Sequence, residues 1–296
     1  MIKYFLIAAF LQIVWSFTPS ASNIVIQYIP VELYITLRWT ISGLIFLGIS
    51  LAKNKSLLSN SSLFWKASLL GVLGYGLASF GTLYGLKIGG VVNFALIGSI
   101  SPIITAMISV IVLKERFNRF YLLSAFICVL GLFILVIGKY QISSSRIALF
   151  STALIFGAYL MEALPFVYSK KLKQKIPLYE YLCIAQLSAA IFMWIGQLFI
   201  FQQFDQVYSA PAIAWACLVF VSIVACVLCY FVLYWLLNFI EGHKLALFDG
   251  LHTVFAALFG YLIFGEKVNV MMLLGGGLLL LGLYMANSKK AVVNEK

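Results

Sequence analysis

"LKERFN" (Leu113–Asn118) and "FGEKVN" (Phe264–Asn269) are two closely related phrases set between long apolar runs. Their glutamates, Glu115 and Glu266, stand 151 residues apart, and so do Asn118 and Asn269, in a chain of 296 residues. The same shift aligns "ALIGSISPIITAMISVIVLKERFNRFYLLSAFICVLGL" with "ALFDGLHTVFAALFGYLIFGEKVNVMMLLGGGLLLLGL". Ala95 then meets Ala246, and the "LGL" around Gly131 meets the "LGL" around Gly282. Apolar helices match by chance in Leu and Ala. With only nine Asp and Glu in the whole chain, the paired Glu and Asn carry the alignment.

The setting of that repeat is a membrane. Hydrophobic residues make up 64% of the chain and charged ones 10%, with a mean hydropathy of +1.06. So little polar surface excludes a water-soluble globule. Apolar runs long enough for a hydrocarbon core of about 30 Å recur throughout. Ten spans are expected, near 4–27, 31–52, 64–86, 91–113, 120–138, 147–168, 178–201, 212–236, 245–264 and 270–287. The start, "MIK" before "YFLIAAFLQIVW" and "PSAS", has the look of a signal peptide. The apolar run continues through "NIVIQYI", and the repeat needs it, so it reads as a retained first helix.

Five helices per repeat is an odd number, so the second half enters the bilayer from the opposite side. The expected fold class is therefore an all-α membrane protein of ten transmembrane helices, arranged as two inverted five-helix repeats. Residues 1–140 form the first repeat, 141–288 the second, and 289–296 a cytoplasmic tail. With the N-terminus in the cytoplasm, fifteen of the 20 Lys and Arg fall on the inner side and four on the outer, Arg38 lying within a span. That asymmetry places both termini inside a cytoplasmic (inner) membrane crossed many times. It also accounts for the net charge of +11 without nucleic acid.

Several phrases resemble a known family. "VELYITLRWTISGLIFL" (Val31–Leu47) resembles the second helix of the ten-helix EamA branch of the drug/metabolite transporter superfamily. "LYGLKIGGVVNFALIGSISPIITAMISVIVLKER" (Leu83–Arg116) resembles its third-to-fourth helix passage. "YLLSAFICVLGLFIL" and "LLGGGLLLLGLYM" resemble its fifth and tenth helices. The resemblance covers both halves and implies a metabolite transporter. Two positions depart from the pattern: Thr253, preceded by His252, stands where the family often has Pro, and Trp15-Ser16 where it has Trp-Gly.

Four ionisable residues lie inside spans: Arg38, Glu162, Asp249 and His252. A charge at the centre of an inserted helix costs about 2.5–3.5 kcal/mol on insertion scales, so each needs a partner or water. Glu162 and Asp249 suit a cationic group or a proton. His252, one helical turn from Asp249, could share that proton, because imidazole titrates nearest neutral pH. Arg38 reads equally as a structural anchor or as a substrate contact. Trp15, Tyr75, Tyr159 and Tyr230 could line a cavity, where a ring face holds an ammonium group. Ser101 and Pro102 in "GSISP" could free carbonyls for a substrate or merely kink the fourth helix. Asn118 and Asn269 suit N-caps of the helices that come after them, with Glu115 and Glu266 near the same positive ends. This is a hairpin staple, and a gate is its alternative.

The expected activity is secondary transport of a small polar or amphipathic metabolite, amino acid- or amine-like, by alternating access with proton coupling. Inverted repeats around a midplane site are the usual frame for it. Efflux of lipophilic cations is the alternative within that class. A membrane enzyme is the alternative outside it, and the chain has no G-x-S-x-G, no H-E-x-x-H and no Walker motif. Cys226 and Cys229 form a C-x-x-C inside an apolar run, without further zinc ligands, so neither metal nor cofactor is expected. Partners are the substrate, membrane lipid and protons; the sequence leaves monomer and homodimer open.

Overall fold

The computed structural model describes residues 2–53, 61–98, 145–172, 176–202, 208–236 and 249–286, with scattered positions at 100–137, 204, 238 and 239. Among the described residues there are helices and turns and no strand. The chain enters through α1 (Ile2–Ser16) and α2 (Thr18–Tyr28), which together make one crossing, Leu6–Tyr28. Their junction falls before Pro19, whose ring nitrogen has no hydrogen to donate into the preceding turn. α3 (Val31–Ala52) and α7 (Leu178–Gly196) both begin on an N-cap proline, Pro30 and Pro177, with an acid in the first turn, Glu32 and Glu180. Proline fixes an extended entry and the acid faces the positive helix end.

The third crossing is built from α4 (Ser61–Gly71), a π-helical stretch Val72–Leu77, and α5 (Ala78–Gly98). Where two spans were expected to part, near residues 86–91, the helical backbone is broken at Gly90 (φ 79, ψ 172), and the apolar crossing ends at Val91. After α6 (Ser145–Leu172) and α7, a further crossing has the same composite form. It consists of α8 (Ala212–Phe220), a π-helical stretch Val221–Cys229 and α9 (Tyr230–Leu236). The two π stretches begin 149 residues apart (221 − 72), close to the spacing of the repeated phrases. α10 (Asp249–Phe264) and α11 (Val270–Ala286) complete the described chain. Six described crossings are long and apolar enough to span a membrane. The remaining four expected spans are shorter in the described residues or lie partly outside them, as do Glu115, Asn118 and Pro102.

Close packing depends on glycine. Gly81, Gly85 and Gly89, each one turn apart on α5, face Leu154, Ile155, Ala158 and Ser151 of α6. At Gly81 a β-carbon would sit 2.7 Å from the Leu154 carbonyl oxygen. Lipid offers no hydrophobic drive for helices to associate, so close backbone approach and interhelical hydrogen bonds must do it. Both occur on this seam: Asn93 Nδ2 donates to Ser151 Oγ (3.0 Å), which donates to the Gly85 carbonyl (2.9 Å). A second seam joins α3 to α7, where Trp194 Nε1 donates to Thr40 Oγ1 (2.9 Å). Gly71 lies directly against the Ala185 backbone of α7, and Gly74 against the Pro165 ring of α6.

Gly71→Ala should therefore force α4 off α7 and destabilise the protein by about 1–3 kcal/mol, the usual cost of overpacking. Gly48→Ala is the control: no atom lies within 4 Å of its would-be β-carbon. There the helix propensity of Ala predicts a neutral or slightly stabilising effect. Thermal denaturation in detergent distinguishes the two, and equal midpoints would contradict the packing described.

Candidate functional site

Arg38 sits seven residues into α3, about 10 Å along its axis. Its Nη2 donates to Ser79 Oγ on α5 (2.7 Å). The guanidinium lies over the indole of Trp39 (4.7 Å from the centroid) and near the ring of Tyr34 (5.5 Å). Ser79 is a hub with every valence used: it also accepts from Trp39 Nε1 (3.1 Å) and donates to the Tyr75 carbonyl. Arg38 Nε has no partner among the described residues. The guanidinium is thus held at Nη2, and its buried Nε leaves one donor unmet.

Glu162, on α6, accepts at Oε1 from Tyr230 OH (2.9 Å), the first residue of α9. Among the described residues its carboxylate has no other partner, and no ion pair joins it to Arg38. The two are near enough for their charges to interact, with the Cys226 thiol close to both. Tyr230 ties the site together. Its ring lies 5.0 Å from Trp15, 5.3 Å from Tyr75 and 6.0 Å from Trp39. Beside it Tyr75 OH meets Tyr234 OH (3.2 Å), and Tyr181 OH donates to the Pro165 carbonyl (3.0 Å). Arg38, Glu162 and Trp15 are half-buried beside these buried rings.

Five residues named from sequence therefore meet: Arg38, Glu162, Trp15, Tyr75 and Tyr230. Tyr159 packs elsewhere, against Phe94 (6.2 Å between centroids) and Gly98, in a separate apolar cluster with Ile97, Ile104 and Met272. His252 is half-buried on α10, and Asp249 opens that helix with its side chain outside the described residues. Ser101 is half-buried in a turn that continues as helix, since Ile104 N donates to the Ile100 carbonyl (3.1 Å). Ser79, Trp39 and Tyr34 were not singled out in the sequence, and Cys226 was named only as part of an apolar C-x-x-C. The repeat register held one clue to them, because Ser79 precedes Tyr230, and Tyr75 precedes Cys226, by 151 residues.

The second repeated phrase behaves in two ways. Asn269 Oδ1 accepts from Met272 N (2.8 Å) and caps α11, as local chemistry suggests. Glu266 reaches across to the first half of the chain, where Oε1 accepts from Val91 N (2.6 Å). The Gly90 kink restarts α5 there and leaves the Val91 amide as a fresh helix start. A β-carbon on Gly90 would lie 2.8 Å from the Glu266 carboxylate. Gly265 (φ 63) turns the chain so that Glu266 faces this way.

These features define a multi-pass helical membrane protein in which Arg38 and Glu162 lie among aromatic rings between its helices. The sequence model of the EamA-like transporter family matches the chain twice, over residues 2–137 and 149–288. The chain belongs to that family. It is 24% identical over 287 residues to a Bacillus subtilis (strain 168) protein described as the uncharacterized transporter YoaV, covering 96% of this chain and 97% of that one. A crystal structure of another protein superposes with a TM-score of 0.69 at 16% identity, covering 95% of both chains. That likeness concerns the fold.

Replacing Gly90 with Ala should cost about 1–2 kcal/mol for the left-handed backbone alone, and more because the new methyl displaces Glu266. Asn269→Ala should cost about 1 kcal/mol, the worth of an N-cap. Denaturation midpoints of the two variants should fall in that order, and the reverse order would count against the cross-chain contact.

Proposed function

We propose that this membrane transporter is a secondary active carrier of a small polar or amphipathic metabolite with an amino acid-like pairing of charges. Alternating access would proceed between two inverted repeats in the cytoplasmic membrane, with both termini inside. One observation carries the reading: a guanidinium with an unmet buried donor and a singly bonded carboxylate lie among the same aromatic rings around Tyr230. Arg38, Ser79, Trp39 and Tyr75 come from residues 1–140, and Glu162 and Tyr230 from 141–288, so the site lies at the junction where such carriers place theirs. A carboxylate seats on Arg38 and an ammonium group on Glu162 and the ring faces. The guanidinium repels a bare cation, which disfavours efflux of lipophilic cations. Glu162 is also the group to carry a coupling proton, with Asp249 and His252 as the alternative pair on α10.

Glu266 adds a gate. With both termini in the cytoplasm, its contact with Val91 closes the outer side, joining the hairpin of one half to the kink of the other. Movement of the halves apart must break it.

Two measurements test these statements. Glu162→Gln should abolish uptake driven by a pH gradient in proteoliposomes while leaving expression and folding intact; unchanged flux removes Glu162 from the mechanism. Joining Val91→Cys to Glu266→Cys by a disulfide should arrest flux, and reductant should restore it. Transport that proceeds through the cross-link excludes a gate at this contact.

A further inference from the structure

The register that pairs Glu115 with Glu266 also pairs Ser79 with Tyr230 and Tyr75 with Cys226. Each pair belongs to the two composite crossings, one member in each. Tyr75 lies within the π stretch Val72–Leu77 and Cys226 within Val221–Cys229. Ser79 and Tyr230 each fall within two residues after their stretch. A π turn inserts a residue into the helix and rotates the residues beyond it, a device concentrated at functional sites. Here both turns deliver a hydroxyl to an ionisable group on another helix: Ser79 to Arg38 (2.7 Å) and Tyr230 to Glu162 (2.9 Å).

The hydroxyls are themselves fixed. Ser79 has its one hydrogen committed to the Tyr75 carbonyl, so its lone pairs point at Arg38 and Trp39. The Tyr230 ring is wedged among Trp15, Trp39 and Tyr75. The long side chains of Arg38 and Glu162 would otherwise sample several rotamers.

We propose that Ser79 and Tyr230 are positioning residues that set the distance between the cationic and anionic poles of the site, and thereby select substrates by the separation of their own two charges. This rests on the reading of Arg38 and Glu162 as the poles of a zwitterion site. The hydroxyls need not touch the substrate. Removing either frees one pole, so that zwitterions of other lengths are accepted as well.

The test uses the purified full chain and a graded series: glycine, β-alanine, γ-aminobutyrate and longer ω-amino acids, read by thermal shift and by counterflow in proteoliposomes. Wild type should prefer one length. In Tyr230→Phe and Ser79→Ala the preference for that member over its neighbours should fall about tenfold, whatever the absolute flux. A purely structural role would lower every member alike and leave the profile's shape unchanged, and that result overturns the proposal. If Ser79→Ala is not recovered folded, Ser79→Cys, nearly isosteric but a weak acceptor, replaces it. Arg38→Gln and Glu162→Gln separate the ruler from the site it acts on. If both abolish binding while the hydroxyl variants keep the wild-type profile, the ruler fails and the zwitterion site stands. If wild type binds no member of the series, both fall.

Discussion

A guanidinium inside a bilayer is tolerable only where its donors find acceptors and its charge finds an answering field. Much of the described structure is arranged around that requirement at Arg38. Ser79 satisfies one edge, the rings of Trp39 and Tyr34 supply polarisable faces, and Glu162 supplies opposite charge at a distance. Translocon scales put the cost of an unanswered charge at about 2.5–3.5 kcal/mol. A direct ion pair would meet it more simply, yet the two groups are held apart by hydroxyls on separate helices. A closed pair neutralises itself and offers a ligand little. In the proposed zwitterion site an open pair keeps both poles available, and the stability it forgoes is the cost of binding there.

Holding the poles open needs rigid walls in a solvent that gives helices no reason to pack. The α5–α6 seam answers with one-turn-spaced glycines and a hydrogen-bonded Asn93–Ser151–Gly85 chain. Gly74 brings the first π stretch against Pro165, close to Glu162 on the same helix. Gln186 Nε2 donates to the Cys226 carbonyl of the second π stretch (2.9 Å). The Tyr75 carbonyl of the first receives Ser79. Both irregular stretches are thus tied by side chains at the same position of the register. Irregular backbone at membrane depth is sustained where it is buried in protein or lines a cavity.

The sequence made the class of fold legible because length and apolarity of spans are local properties. Arg38 and Glu162 were legible for the same reason, since a charge in an apolar run identifies itself. Ser79 was not. A serine in a helix commonly bonds the carbonyl one turn back, and only the third dimension shows that Ser79 does so while accepting from Arg38 and Trp39. Tyr159 and Tyr230 were indistinguishable as tyrosines in spans, because which face meets the site depends on packing. The π stretch before Tyr230 rotates its face, a change that a regular helical period does not anticipate.

Glu266 is the clearest case of local logic meeting a distant claimant. Within its own hairpin the positive end of α11 lies four residues on, and capping preferences assign the carboxylate there. Asn269 serves that end, and a Glu266 carboxylate oxygen is used elsewhere. The Gly90 kink creates a deficit, an amide at a helix start inside a packed interface. A carboxylate 175 residues away fills it. Acceptor and donor in different halves are what make the contact a link between them rather than part of either. A bond of this kind adds little to the stability of each half and acts mainly on their relative position, which is the quantity that a transporter must change.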